Sequence, residues 1–270
     1  MAKRQRARLG QVFLADRRVE RRIMDALRLQ SPDVVLEIGA GPGNMTARLA
    51  EVAAKVVAVE VDPKWAAKLR DQFADNSRVR ILEADILKVL LDQVAGESGR
   101  HQFKVFGNLP YYITSPCLLH LFRYCDSVQE IVVMVQREVA ERIVAEPGSK
   151  DYGLFSLTCQ YYTRPELLFT IPAAAFHRPP TVDSALVRME VEPQEEALGI
   201  RDEEQFWRWM RAAFAQKRKT LVNNWKGLCD PERLRAVLAE QGIEVRARAE
   251  TLSLNQLAAA HSAVLRLPSR

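Results

Sequence analysis

The chain has 270 residues, 48% hydrophobic and 27% charged, with a formal net charge of +5. That length and mixture exclude a disordered chain and a lone small domain, and they suit one large domain with a smaller one. The charge is uneven: residues 1–28 carry +6, residues 29–200 carry −6 and residues 201–270 carry +5. An acidic body between two basic segments suits a polyanion gripped from two sides, though a solvated surface of uneven charge gives the same count.

In chain order, Lys3, Arg4, Arg6 and Arg8 form a basic arm expected to be mobile before binding. Asp16 predicts a cap for a helix over Arg17–Leu29, with Val19, Ile23, Ala26 and Leu27 on one face. Val34–Ile38 reads as a buried parallel strand. The turn Gly39-Ala40-Gly41-Pro42-Gly43 follows, then a helix over Asn44–Ala54. Strands are expected at Lys55–Val59, ending on Glu60, and at Val79–Glu83, ending on Asp85, with a helix over Pro63–Phe73 between them. Phe103–Phe106 is the fourth strand. It runs into Gly107-Asn108-Leu109-Pro110-Tyr111-Tyr112. Pro110 has no N–H and biases Leu109 away from helical geometry, so this stretch reads as a fixed turn after the strand. An ordinary turn with packed tyrosines is the plain alternative.

Helices are expected at Pro116–Tyr124, Arg137–Ala145 and Leu154–Tyr162, and a strand at Ile131–Val135. Leu167–Ile171 and Ser184–Glu190 read as an edge hairpin. Strands alternating with helices predict an α/β fold, a Rossmann-like, mostly parallel sheet with an antiparallel edge. Glu192–Gly199 reads as a linker, and the helical segments after it as a small all-helical domain. The expected organisation is residues 1–30 as basic arm and first helix, 31–192 as the sheet domain and 200–270 as the helical domain.

Cys117, Cys125, Cys159 and Cys229 include no CxxC pair, and the four histidines form no ligand-spaced cluster with them. Reduced thiols in a cytoplasmic protein are expected, and no metal site. The basic start is not followed by an apolar run, so no secretory signal is read. The least polar stretch, Val105–Phe122, is broken by Gly107, Pro110 and Pro116 and is not read as a membrane span.

Four polar features fall at the carboxyl ends of four successive strands: the Gly39–Gly43 turn, Glu60, Asp85 and Asn108. In a parallel sheet those ends line one crevice. Glycines let a ligand approach the first turn. Glu60 lies where an acid accepts from a ribose diol, and Asp85 can accept from an exocyclic amine. The set reads as an adenosine-type cofactor site. A dinucleotide would call for G-x-G-x-x-G and a basic partner for pyrophosphate. Here the third glycine comes one residue early, and Pro42 intervenes. S-adenosylmethionine has no phosphate, and its zwitterionic end suits a turn that begins at Glu37.

Glu37-Ile-Gly-Ala-Gly-Pro-Gly43 resembles the first motif of Rossmann-type methyltransferases, and Asn108-Leu109-Pro110-Tyr111 resembles the NLPY form of the amino-methyltransferase motif. Gly10-Gln-Val-Phe-Leu14, Gln136–Arg142 with Pro147–Gly153, Phe176–Ser184 and Phe214–Leu221 extend the likeness over nearly the whole chain. The chain thereby resembles the ribosomal RNA adenine N6-dimethyltransferases, on the small-subunit side of that family. Erm-type large-subunit rRNA methyltransferases share the first motifs but generally lack the Pro147–Gly153 block as it stands here. One departure is Val12, where the family usually has Asn near the cofactor. Another is Arg178, a cation beside the substrate cleft.

The resemblance implies methyl transfer from S-adenosyl-L-methionine to N6 of two adjacent adenines in the 3′-terminal helix loop of 16S rRNA, on a small-subunit assembly intermediate, by a monomer. It assigns Asn108, Leu109, Tyr111 and Phe176 to the reaction: Asn108 and the Leu109 carbonyl as N–H acceptors, Tyr111 and Phe176 as stacking faces. Phe176 is otherwise a core phenylalanine, and Tyr112 is expected to pack. The implied cofactor residues are Gln11, Val12, Leu14, Gly39, Gly41, Glu60, Asp85 and Asn108. RNA falls to Lys3, Arg4, Arg6, Arg8, Arg178 and a helix carrying Lys217, Arg218 and Lys219, which charge alone leaves open as a solvated face. An Erm-type activity and a non-catalytic RNA-binding assembly factor stand as alternatives.

Overall fold

The computed structural model describes residues 13–96, 102–110 and 112–266. It divides into two compact units, residues 1–140 with 164–191 and residues 141–163 with 192–270.

The first unit is built on a seven-stranded sheet of order β3-β2-β1-β4-β5-β7-β6. The strands are β1 (Val34–Ile38), β2 (Lys55–Glu60), β3 (Val79–Glu83), β4 (Phe103–Asn108), β5 (Val128–Gln136), β6 (Thr163–Ile171) and β7 (Ser184–Val191). β1, β2, β3, β4 and β5 pair in parallel, and β7 runs antiparallel to β5. All five residues of β1 are buried, because helices cover both faces of a parallel sheet and leave no polar side. β4 extends two residues beyond the predicted end. Gly107 pairs with Ile38 and Val133, and Asn108 with Met134, so neighbours on both sides carry the ladder past the first polar residue. The Leu109 N–H adds one more bond, to the Met134 carbonyl at 3.0 Å, before Pro110 ends the run.

Helix α1 (Arg17–Leu27) starts where predicted, with the Asp16 carboxylate accepting the Arg18 N–H at 2.7 Å. Val19, Ile23 and Leu27 face the core, where burial of an aliphatic side chain contributes about 1.5–3 kcal/mol. Its last turn is tied to the amino end of β4, since Lys104 Nζ donates to the Arg28 carbonyl at 3.1 Å and pairs with Asp33 at 3.0 Å. Eleven helical residues rise about 16 Å, roughly the depth of a five-residue strand. The amino end of α1 therefore reaches the carboxyl ends of the strands, bringing Phe13 and Leu14 with it.

The second unit is helical. Its core holds Tyr152, Leu157, Tyr161, Phe206, Trp209, Trp225 and Leu257. The linear division at residue 192 differs here: residues 141–163 cluster with the carboxyl-terminal helices, because Tyr152, Leu157 and Tyr161 are part of that core. Helix α8 (Glu203–Ala213) is capped by Asp202, α9 (Leu221–Trp225) by Thr220 and α11 (Leu254–Leu265) by a Ser253–Gln256 capping box. (Between α1 and α8 lie α2 Asn44–Val52, α3 Pro63–Gln72, α4 Asp92–Gly96, α5 Thr114–Leu121, α6 Arg137–Ile143 and α7 Leu154–Tyr162; α10 is Pro231–Glu240.) No helix of the described residues is long and apolar enough to cross a membrane.

Candidate active site

The four strand-end features do share one crevice. A cavity of about 260 Å³ is lined by Gly39, Glu60, Asp85, Asn108, Leu109 and Phe176, with Val61, Ile86, Tyr112 and Ile113 among its other walls. A second cavity of about 40 Å³ shares Phe13, Gly39 and Asn108 with the first and continues to Leu14 and Glu37. Every described residue assigned to reaction or cofactor from the sequence lines one of these cavities, except Gly41, which lies directly behind the wall.

Gly41 acts through its neighbours. Its φ is +53°, and a Cβ placed on it would stand 2.5 Å from Phe13 Cε1. Its N–H donates to Glu60 Oε2 at 2.8 Å. Only glycine lets the Phe13 ring lie against this turn while the turn is tethered to β2. Phe13 meets Trp65 edge-on at 5.3 Å between centroids. Phe13, Trp65 and Thr46 were not singled out from the sequence; Phe13 sits inside the Gly10–Leu14 block, whereas Trp65 and Thr46 carry no local signal.

Two carboxylates are buried here. Glu60 accepts from Gly41 and, at 2.9 Å, from the Asp62 N–H. Burial raises its pKa, and those two N–H bonds oppose the rise. Glu37 accepts the Thr46 hydroxyl at 2.6 Å. Burial, helped by the charge on Glu60, lifts its pKa to about 7 against the Thr46 bond. Asp85 accepts the Leu87 N–H at 3.1 Å and turns the chain into a short 3₁₀ segment. Among the described residues, the two cavities are lined by Glu20, Glu37, Glu60 and Asp85 and by no Lys, Arg or His. Such walls fit a ligand with a positive centre and hydroxyl or amine donors, as S-adenosylmethionine has. They do not fit a pyrophosphate.

Beyond Asn108, Pro110 shapes the turn. Its carbonyl accepts from the Ile113 N–H at 3.0 Å and the Thr114 hydroxyl at 3.3 Å. Phe176 is both a core residue and a cavity wall: it is 4% exposed and packs with Leu14. The two residues form an antiparallel bridge, reinforced by His177 N–H to the Phe13 carbonyl at 2.9 Å and Ala15 N–H to the Ala175 carbonyl at 2.8 Å. A single clasp thus joins Leu14, on the wall of the smaller cavity, to Phe176, on the wall of the larger.

Two expectations are corrected. Tyr112 does not pack in the core: it is 56% exposed at the cavity mouth. Lys217, Arg218 and Lys219 are not helical. They occupy an exposed turn between α8 and α9, because Thr220 starts a new helix and the Asn224 amide holds the Gln216 carbonyl at 3.2 Å. Arg178 is exposed. Lys3, Arg4, Arg6, Arg8, Gln11, Val12 and Tyr111 lie outside the described residues.

A family model described as ribosomal RNA adenine dimethylase matches residues 2–263. The chain belongs to that family. It is 42% identical over 263 residues to the ribosomal RNA small subunit methyltransferase A of Koribacter versatilis, covering 94% of this chain and 92% of the relative. It is 38% identical to the protein of the same name from a Geobacillus species, covering 95% and 90%. Among solved structures it resembles a dimethyladenosine transferase from Plasmodium falciparum (TM-score 0.78, 22% identity, 92% of this chain and 95% of that one). It also resembles the 23S rRNA methyltransferase ErmE (TM-score 0.70, 22% identity, 94% and 100%). At those identities the two structures speak for a shared fold.

Proposed function

We propose that this chain transfers methyl groups from S-adenosyl-L-methionine to N6 of two adjacent adenines in the 3′-terminal helix loop of 16S rRNA, giving dimethyladenosines during small-subunit assembly in the cytoplasm. The observation that carries the reading is Asn108, a polar strand end on the wall common to both cavities, in a member of the rRNA adenine dimethylase family.

S-adenosylmethionine, when bound, supplies an electrophilic methyl on a positive sulfur with a neutral leaving group. Glu60, Asp85, Leu14 and the Gly39–Gly41 turn would hold it, and the family resemblance adds Gln11 and Val12. The chain's own task is to make a poor nucleophile react. The adenine amine lends its lone pair to the ring. The Asn108 amide oxygen and the Leu109 carbonyl accept its N–H bonds and favour the positive, more tetrahedral nitrogen of the transition state. Fixed acceptors at the end of a sheet lose little on reorganisation, and positioning supplies most of the remainder. No strong general base is required.

Tyr111 and Phe176 provide the stacking faces for an adenine that has left its stack, each worth about 1–3 kcal/mol. Lys3, Arg4, Arg6, Arg8, Arg178 and the turn of Lys217, Arg218 and Lys219 provide phosphate contacts. Incubation of 30S and 50S particles with labelled S-adenosylmethionine, followed by mass spectrometry of the RNA, tests the reading. Dimethyladenosine pairs in 16S rRNA are expected, and Asn108→Ala abolishes them while cofactor binding is largely kept. Label confined to 50S particles, or full turnover by the variant, refutes it.

A further inference from the structure

Tyr112 is left without a task by that scheme, yet its placement is not that of an idle surface residue. The residue lies in the turn that leads into α5. Tyr112 lines the larger cavity together with Glu60, Val61, Asp85 and Ile86. It remains 56% exposed, so the cavity wall it forms is backed by water rather than by protein. A large aromatic held half in solvent beside two acids gains little in the free protein. It gains when a flat apolar body displaces the water from its inner face.

We propose that Tyr112 is a further cofactor-binding residue, the outer wall of the cavity end where Glu60 and Asp85 stand, taking the adenosine part of the ligand; this rests on the S-adenosylmethionine reading of that cavity. The ring does the binding. The phenol stays neutral at physiological pH, its pKa raised by partial burial and by the charges of Asp85 and Glu60, so it adds no third negative charge to an already acidic wall. Val61, itself 48% exposed, extends the same apolar rim. Both side chains would lose exposed surface on binding, which no other residue of this wall offers to the same degree.

The test is calorimetric titration of the full chain with two probes, S-adenosylhomocysteine and 5′-methylthioadenosine. Truncation of a stacked aromatic costs about 1–2 kcal/mol, or roughly five- to thirtyfold in affinity. Tyr112→Ala is expected to lose that factor for both probes, because both carry the adenosine and only one carries the amino acid. Tyr112→Phe is expected to stay within about twofold. If the wild-type chain binds both probes and Tyr112→Ala binds them equally well, the proposal falls while the cofactor reading stands. The same holds if only the affinity for RNA drops, which would make Tyr112 an RNA contact, or if Tyr112→Phe loses as much as Tyr112→Ala. If the wild-type chain binds neither probe, both readings fall together.

Discussion

Gly41→Ala separates the shape of the cofactor turn from its stability. The residue sits at φ +53°, where a side chain costs about 1–2 kcal/mol relative to glycine. The new Cβ would also stand 2.5 Å from Phe13 Cε1, well inside contact distance, so the ring must swing away. Leaving its edge-on contact with Trp65 forfeits about 0.5–1.5 kcal/mol more. The variant should therefore lose about 2 kcal/mol of stability in urea titrations of the free protein. Losing Phe13 as a wall of both cavities should weaken S-adenosylhomocysteine by at least about tenfold. Gly43→Ala is the control. At φ +85° it carries comparable strain, but its Cβ would meet Leu69 at 2.8 Å and Phe73 at 3.1 Å, behind the turn. It should lose stability and keep affinity. In the double variant Phe13→Ala/Gly41→Ala the clash is gone, so the stability losses should fall short of additive by about 0.5–1.5 kcal/mol. Wild-type affinity for Gly41→Ala, equal affinity losses in the two glycine variants, or strict additivity would refute the reasoning.

His261 is buried against Phe206 and Trp209, and burial lowers its pKa from 6.5 to about 4. A depressed base binds protons better when unfolded, so the helical unit is fully stable above pH 6.5 and loses stability as pH falls towards 4. Tryptophan fluorescence melts at pH 7 and 5 should show the loss, and His261→Phe should reduce it. Replacing Lys217, Arg218 and Lys219 by Gln should lower the slope of log affinity for RNA against log salt by about 2, from roughly 0.7 per phosphate contact. An unchanged slope removes the turn from the RNA interface. Glu37 gives the opposite sign to His261: with its pKa raised from 4.5 to about 7, the ligand-free protein loses stability as pH rises through that window. Glu37→Gln should flatten that part of the pH profile.

The sheet was legible because burial on both faces leaves a plain mark. Val34–Ile38 is buried throughout and has the bounds its β-branched run predicts. Strand ends were less legible. Gly107 and Asn108 look like a turn in isolation, and only the neighbours Ile38, Val133 and Met134 show that the ladder continues. Lys217–Lys219 looks like a helix face, yet the bond from Asn224 to Gln216 and the Thr220 cap make it a turn, and no periodicity reports those. Glu37, Glu60, Asp85 and Asn108 could be found because strand ends in a parallel sheet must converge. Phe13 against Gly41, Trp65 against Phe13 and Thr46 against Glu37 depend on elements brought together by folding, and no spacing encodes them.

The acids at the strand ends carry the chemistry further than the glycines do. Taking a carboxylate out of water is costly unless something compensates it. Glu60 has two backbone N–H bonds and Glu37 one hydroxyl, and both still keep raised pKa values, so the compensation is incomplete. A ligand bringing positive charge and donors would complete that compensation, and a phosphate would not. On the proposed reading, the glycine-rich turn meets a sulfonium and an ammonium group rather than a pyrophosphate because of the acids that stand beside it. Choice of cofactor, on this account, lies with the side chains at the ends of β1, β2 and β3 rather than with the turn itself. Asn108 at the end of β4, uncharged and on the wall of both cavities, would then be suited to hold a neutral amine.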